Sequence, residues 1–279
     1  MMQKKAFTLV ELLVVCAVIT VLLAVLVPVL GKSRQIGQRL VCMSNLRQMV
    51  VAAQTYALSS NDYFPLVQDV TVYTYASAKN DCLLMVQNDP PVIREQIKYE
   101  RVWDFVTVTN LADGTRTFKP GILWQGDSSL EIQQCPGYKG ADNWGGQPFT
   151  GYNYNASYIG GHCWENPWTK DRFAVQSARA TQVKRPCECA VFGDGQYISG
   201  ANKFMRSPFP GNLDKDFGAS NRWAGTQGYR HLGATNVGWA DGSSKTIRAC
   251  YTDTARAERS YIAKGTGFLS MDNSAYDLE

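Results

Sequence analysis

The chain has 279 residues, of which 45% are hydrophobic and 11% aromatic, with a formal net charge of +4. These values are those of a globular chain and exclude a disordered tail. The charge falls to +2 if Lys4 and Lys5 leave with a leader, which is too mild to make nucleic acid the main partner.

From the N-terminus, Lys4 and Lys5 precede an apolar run from Phe7 to Leu30 whose one charge is Glu11. These 24 residues suffice for a helix that crosses a bilayer, which takes about 20. A cleaved secretory signal has a shorter apolar region and ends at a small-x-small site, which is not evident between Pro28 and Gly37. Glu11 costs on the order of 2.5 to 3.5 kcal/mol in lipid unless something pairs with it. A cut between Ala6 and Phe7 would create an α-amino group about one helical turn from Glu11, and a neighbouring copy's amine would then pair with this carboxylate and set the register between subunits. The simpler alternative keeps Glu11 solvated at the interface near Lys4 and Lys5. Flanking charge does not orient the span by itself, because Lys32, Arg34 and Arg39 follow it.

Gly31 to Ser59 continues the helix, with Ile36, Leu40, Met43, Leu46, Val50, Ala53 and Ala57 forming one apolar stripe at steps of three and four. The Asn61-Asp62-Tyr63-Phe64-Pro65 segment stops it. Alternation predicts strands over Asp69–Ala76 and Val102–Thr109, and Asp113-Gly114 predicts a turn into Thr115–Phe118. Asp89-Pro90-Pro91 reads as loop and Ile93–Tyr99 as a short helix. A strand is expected over Glu188–Phe192 ahead of Asp194-Gly195. A hairpin is expected from Asn236–Ala240 and Ser243–Ile247 about the Asp241-Gly242 turn.

Cys16 lies in the span and Cys42 just beyond it, followed by Cys82, Cys135, Cys163, Cys187, Cys189 and Cys250. Six cysteines in the globular part allow three disulfides in fifteen connectivities. Disulfides are favoured over zinc, because Cys187-Glu188-Cys189 is too close for a usual zinc knuckle. Gln134 to Lys170 is rich in Gly, Asn and aromatic residues. Trp144, Trp164 and Trp168 are candidate ligand-binding positions there, against the simpler reading of loops that cover the core and are held by Cys135 and Cys163.

His162 and His231 are the two histidines, and no nucleophile elbow, phosphate loop or zinc-protease motif occurs. A five-residue strand separates His231 from Asp241 too far for a direct dyad. Asp241 and Gly242 read as turn-formers and His231 as a structural histidine. Asp194, Asp214, Asp216 and Asp241 match no calcium loop and read as turn carboxylates. No catalytic residue, cofactor or metal is expected, and an enzyme has little support.

The string Ala6-Phe7-Thr8-Leu9-Val10-Glu11 resembles the processing motif of type IV prepilins and type II secretion pseudopilins. The resemblance implies a prepilin peptidase that cuts after Ala6 and methylates Phe7, with Glu11 as the assembly glutamate and other copies or related pilins as partners. Gly is usual where this chain has Ala6, and Pro28 falls where many pilins bend the helix. The peptidase acts at the cytoplasmic face, which implies an inner-membrane anchor with everything after Leu30 outside the cytoplasm. Cys42-Met43-Ser44-Asn45-Leu46-Arg47-Gln48, with Tyr56, is similar to a group of large pilin-like proteins abundant in planctomycetes, lentisphaerae and verrucomicrobia. Cys135-Pro136-Gly137 and Gly151-Tyr152-Asn153-Tyr154-Asn155 look like segments of the same group. His231, nine residues and Asp241-Gly242 match its H-x9-DG element.

The expectation is an α+β pilin-like subunit, with a long helix packed on an antiparallel sheet and long loops. Its parts are a leader (1–6), a transmembrane helix (7–30), an amphipathic stem (31–60) and a globular domain (61–279) containing the 231–242 element. The expected role is assembly into a pilus-like or secretion-type filament. The alternative is an anchored extracytoplasmic domain that binds a glycan or another ligand and does not polymerise.

Overall fold

A single helix, α1 (Leu9–Ser59), carries the N-terminal part of the structure without interruption and runs through Pro28. At 1.5 Å per residue its 51 residues extend about 75 Å. The computed structural model describes residues 9–73, 97–110, 113–124, 130–141, 146–165, 172–198, 200–214, 225–252 and 262–279. Ala6, Phe7, Asp89-Pro90-Pro91, Trp144, Trp168 and Asp216 lie outside them.

The helix has two environments. From Leu9 to Leu30 its large apolar side chains are all exposed, and this segment is long and apolar enough to cross a membrane. From Cys42 onward one face is buried, through Cys42, Asn45, Leu46, Met49, Val50, Ala53, Tyr56 and Ala57. The stripe read from the sequence begins too early, because Ile36 and Leu40 are exposed; full burial starts at Cys42, just after Asn236 Nδ2 donates to the Arg39 carbonyl. Two left-handed residues end the helix, Asn61 (φ 51°) and Asp62 (φ 71°), both of types that tolerate this region. The Asp62 carboxylate also accepts the Thr181 amide and hydroxyl, which ties the end of the stem to the head.

The strands are β1 (Gln68–Tyr73), β2 (Ile97–Val102), β3 (Phe105–Asn110), β4 (Arg116–Pro120), β5 (Tyr152–Asn155), β6 (His162–Glu165), β7 (Arg172–Val175), β8 (Ala190–Asp194), β9 (Phe204–Met205), β10 (Gln227–Gly228), β11 (Thr235–Trp239), β12 (Ser244–Ile247) and β13 (Thr266–Gly267). Among the described residues they form a six-stranded sheet, β4-β3-β2-β1-β6-β7, a five-stranded sheet, β12-β11-β8-β5-β9, and the small pair β10-β13. Pairing is antiparallel except for β1 with β6 and β5 with β9. The fold is α+β, with one long N-terminal helix and mainly antiparallel sheets.

Three local expectations need correction. The apolar alternation over Val102–Thr109 is two strands and not one, because the chain turns at Trp103-Asp104 without glycine or proline. The Asp104 carboxylate makes this turn by accepting the Phe105 amide, and Lys203 Nζ binds it at 2.7 Å in a buried ion pair. Ile97–Tyr99, expected to be helical, begins β2 and pairs with both β1 and β3. The strand expected over Glu188–Phe192 lies two residues later, as β8.

The two larger sheets meet through aromatic rings. Trp103, at the β2–β3 turn, packs against Tyr154 of β5 and Phe192 of β8, with centroids 6.0 and 5.3 Å away, and its indole N–H donates to Lys203 O. Tyr152, Tyr154 and Tyr158 are therefore core residues and not loop rings facing solvent. The same face of the five-stranded sheet also receives α1, because Gly238 of β11 lies directly beside Phe192. A Cβ on Gly238 of β11 would come within 2.7 Å of Val50 Cγ2 and 3.2 Å of the Leu46 carbonyl oxygen, so this glycine sets how closely stem and sheet approach.

The burial boundary gives a paired prediction. Leu46→Ala empties a fully buried position and is expected to cost about 2 to 5 kcal/mol. Leu40→Ala, two turns upstream on the exposed side, is expected to stay within about 0.5 kcal/mol. Urea unfolding of the detergent-solubilised chain measures both, and equal losses would contradict the boundary.

Candidate functional site

The residues singled out in the sequence are far apart along the chain, yet several converge on one buried point where α1 enters the head. Cys42 is the first buried residue of the stem. Cys135 follows a 3₁₀ turn (Leu130–Gln133), and its amide donates to Thr150 O. Asp194 ends β8, fully buried. His231 opens the turn His231-Leu232-Gly233-Ala234, whose central residues both have positive φ (57° and 73°), and this turn feeds β11. A type I′ turn built on Leu-Gly carries a weaker signal than one built on Asn-Gly, so the sequence did not reveal it.

The motif glycines make room for this convergence. A Cβ on Gly137 would lie 2.7 Å from His231 Cε1, and one on Gly151, where φ is +117°, would lie 2.7 Å from Cys135 Cβ. The Cys-Pro-Gly and Gly-Tyr-Asn-Tyr-Asn segments thus pack against the histidine and the cysteine at the cluster's centre.

Asp194 is the hub. Its Oδ1 accepts from the Cys42 thiol at 3.0 Å and lies 3.6 Å from Cys135 Sγ, while its Oδ2 accepts the Asn236 amide at 2.7 Å and lies 3.4 Å from His231 Nε2. Cys135 Sγ is 3.6 Å from His231 Nε2. Arg230 completes the group: its Nε donates to Cys135 Sγ at 3.3 Å and its terminal nitrogens reach Asp194 Oδ1 and the Gly151 and Gly195 carbonyls. The Arg230 guanidinium also sits 5.1 Å from the Tyr138 ring centroid. On the stem side, Asn45 donates to the Tyr152 hydroxyl at 3.3 Å and to Gln134 O at 3.4 Å.

The electrostatics follow from these contacts. Burial opposes ionisation of Asp194, but the Arg230 charge and the His231 hydrogen bond outweigh it and hold the carboxyl below its usual range. Burial likewise opposes the His231 cation, and the hydrogen bonds to Asp194 and Cys135 overcome it, raising the imidazole to about 9. Cys135 is held down at about 5 against its burial by hydrogen bonding with Cys42, the Arg230 charge and His231. Cys42 is pushed up, first by burial and then by its hydrogen bond with Cys135 and the Asp194 charge. Opposite charges therefore interlock in a site closed to water.

Among the described residues, Cys42, Cys135, Asp194 and His231 form the one group of side chains with metal-ligand atoms in mutual reach. Asp194, Asp214 and Asp241 do not gather: Asp214 pairs with buried Arg206, and Asp241 is an exposed turn residue that accepts the Ser243 amide at 2.8 Å. Gly242, at φ +86°, completes that turn. His231 faces Asp194 and not Asp241. Cys163 is disulfide-bonded, whereas Cys42, Cys135, Cys187, Cys189 and Cys250 are free thiols, so disulfides are only partly formed and Cys135 does not join Cys163. Trp164 belongs to β6. A surface cleft of about 460 Å³ beside the cluster is lined by Val41 and Asn45 of α1 together with Ile132, Gln134, Pro136 and Phe149.

Residues 1–27 match the family model of the prokaryotic N-terminal methylation motif. No curated protein and no solved structure matches the chain. The matched part covers the processing string and most of the apolar run, and it supports a type IV pilin-like or pseudopilin-like protein anchored through this helix.

The hub can be tested against the exposed Asp241-Gly242 turn at the far end of β11. Asp194→Ala leaves buried Arg230 and His231 without their shared acceptor and is expected to lower stability by about 3 to 5 kcal/mol. Asp241→Ala removes an exposed turn contact and is expected to cost no more than about 1 kcal/mol. Denaturant unfolding of the two variants distinguishes them, and an equal cost would remove Asp194 from the centre of the site.

Proposed function

We propose that this chain is a non-catalytic structural subunit, a pilin or pseudopilin, of a type IV pilus-like or type II secretion-like filament. Prepilin peptidase would cut it between Ala6 and Phe7 and methylate the new N-terminus. The observation that carries the reading is the methylation motif joined, without a break in the helix, to a segment whose large apolar side chains are all exposed.

Such a surface needs a cover. In the bilayer, lipid supplies it; in a filament, the same faces of neighbouring helices would do so. The exchange replaces one apolar environment by another, so hydrophobic burial alone does not choose the register. A charge pair does. Glu11 lies in the first turn of α1, and a neighbour's Phe7 amine brought to it would make one axial offset preferred over the others. The head, from Asn61 onward, then stands outside the cytoplasm and decorates the filament, with the inner membrane, the peptidase and other pilins as partners.

Mass spectrometry of the N-terminal peptide, from cell envelopes and from sheared extracellular material, tests processing and export together. A chain starting at methylated Phe7 and present in the sheared fraction is expected. An intact Met1 or Met2 start confined to membranes would instead favour the anchored, non-polymerising domain. Glu11→Ala is expected to remove the chain from the sheared fraction while leaving the head's unfolding midpoint unchanged, and undiminished incorporation would refute the register role.

A further inference from the structure

Four side chains from four separate parts of the chain bring ligand atoms within 4.8 Å of one another: Cys42 of α1, Cys135, Asp194 at the end of β8, and His231 ahead of β11. All four residues are buried. We propose that they form a structural zinc site, with Cys42 Sγ, Cys135 Sγ, Asp194 Oδ1 and His231 Nε2 as ligands, that clamps the stem helix to the head.

The spacing suits a tetrahedral ion. Zinc bonds of about 2.3 Å to sulfur and about 2.0 to 2.2 Å to nitrogen or oxygen place the corners of a tetrahedron roughly 3.3 to 3.8 Å apart. Cys135 Sγ, at 3.6 Å from both His231 Nε2 and Asp194 Oδ1, meets this spacing, while Cys42 Sγ, hydrogen-bonded to the same oxygen at 3.0 Å, would draw back by roughly half an ångström on losing its proton to the ion. The carboxylate is already oriented, since the Asn236 amide occupies Oδ2 and leaves Oδ1 toward both sulfurs. Two thiolates and a carboxylate carry three negative charges, and a divalent ion together with the Arg230 guanidinium would cancel them. Arg230 is placed for that role, donating to Cys135 Sγ and to Asp194 Oδ1 in the manner of an outer-shell partner.

The donor set selects the metal. Mixed sulfur, nitrogen and oxygen ligands in fourfold arrangement suit borderline zinc better than magnesium or calcium, which take oxygen ligands in larger numbers. Four protein ligands without an open position make a structural site and not a catalytic one. A disulfide between Cys42 and Cys135 is the rival chemistry. It would use two of the four groups and give no reason for His231 and Asp194 to converge on the same sulfur. The structure does close a disulfide at Cys163, yet it keeps Cys42 and Cys135 as thiols turned toward the carboxylate.

The full-length chain, purified in detergent without chelator, is the material for the test. Elemental analysis is expected to find about one zinc ion per chain, and Cys42 and Cys135 are expected to resist alkylation until a chelator is added. Exchange into Co²⁺ is expected to give the intense visible bands of a tetrahedral site together with thiolate-to-metal charge transfer. These wild-type measurements stand even if Cys42→Ser or His231→Gln does not fold. His231→Cys, which keeps a donor, is expected to retain cobalt with an altered spectrum. Peptide mapping that finds Cys42 and Cys135 oxidised to each other would overturn the proposal in favour of the disulfide. A folded chain that contains no zinc, keeps both thiols reduced and gives no cobalt spectrum would overturn it in favour of a metal-free charge network. None of these readouts depends on filament assembly.

Discussion

A carboxylate with no exposure to solvent has to be surrounded by groups that replace its water, and the junction of stem and head is organised around meeting that demand for Asp194. Its partners come from the stem through Cys42, from the loop after the 3₁₀ turn through Cys135, from the turn ahead of β11 through Arg230 and His231, and from β11 itself through the Asn236 amide. Each partner belongs to a segment that packs elsewhere for apolar reasons, so a shift in any of them would leave charge unpaired in a site that water does not reach. The polar cluster therefore specifies how the helix is placed on the five-stranded sheet, while contacts such as Val50 over Gly238 supply the close packing.

The same helix must satisfy two solvents. From Leu9 to Leu30 it presents apolar side chains in every direction, which is tolerable only in lipid or among other such helices. Downstream it has one buried face. Pro28 sits in the upstream half, where its missing amide weakens the backbone ladder without touching the head. Because α1 is continuous, a displacement of the anchor is transmitted to the head first at the level of Arg39 and Cys42.

How much of this was legible depended on whether the signal was local. The span, the long stem, its stop at Asn61-Asp62 and the hairpin about Asp241-Gly242 are all encoded in adjacent residues, and the structure has them. The buried stripe starts later than the periodicity, because Ile36 and Leu40 continue the pattern but stay exposed; periodicity shows which face is apolar and not where its cover begins. The β2–β3 turn was missed because Asp104 makes it through a partner, Lys203, almost one hundred residues away. The cluster itself was invisible as a unit. Its members sit at 42, 135, 194 and 231, in no recognised ligand spacing, and the carboxylate nearest His231 in the hairpin sequence is Asp241, whereas its partner in space is Asp194.

That separation explains how His231 and Asp241-Gly242 flank one strand without touching. β11 must be entered and left at fixed points if its Gly238 is to meet the stem and its Asn236 amide is to meet Asp194. The turn that His231 opens fixes the entry, and the Asp241-Gly242 turn fixes the exit into β12. A strand held at both ends has one register against β8, and register decides which residues face α1. The nine-residue spacing is thus a measure of one strand and its flanking turns. The histidine's chemistry is directed inward to the cluster, while the aspartate's is confined to its own exposed turn.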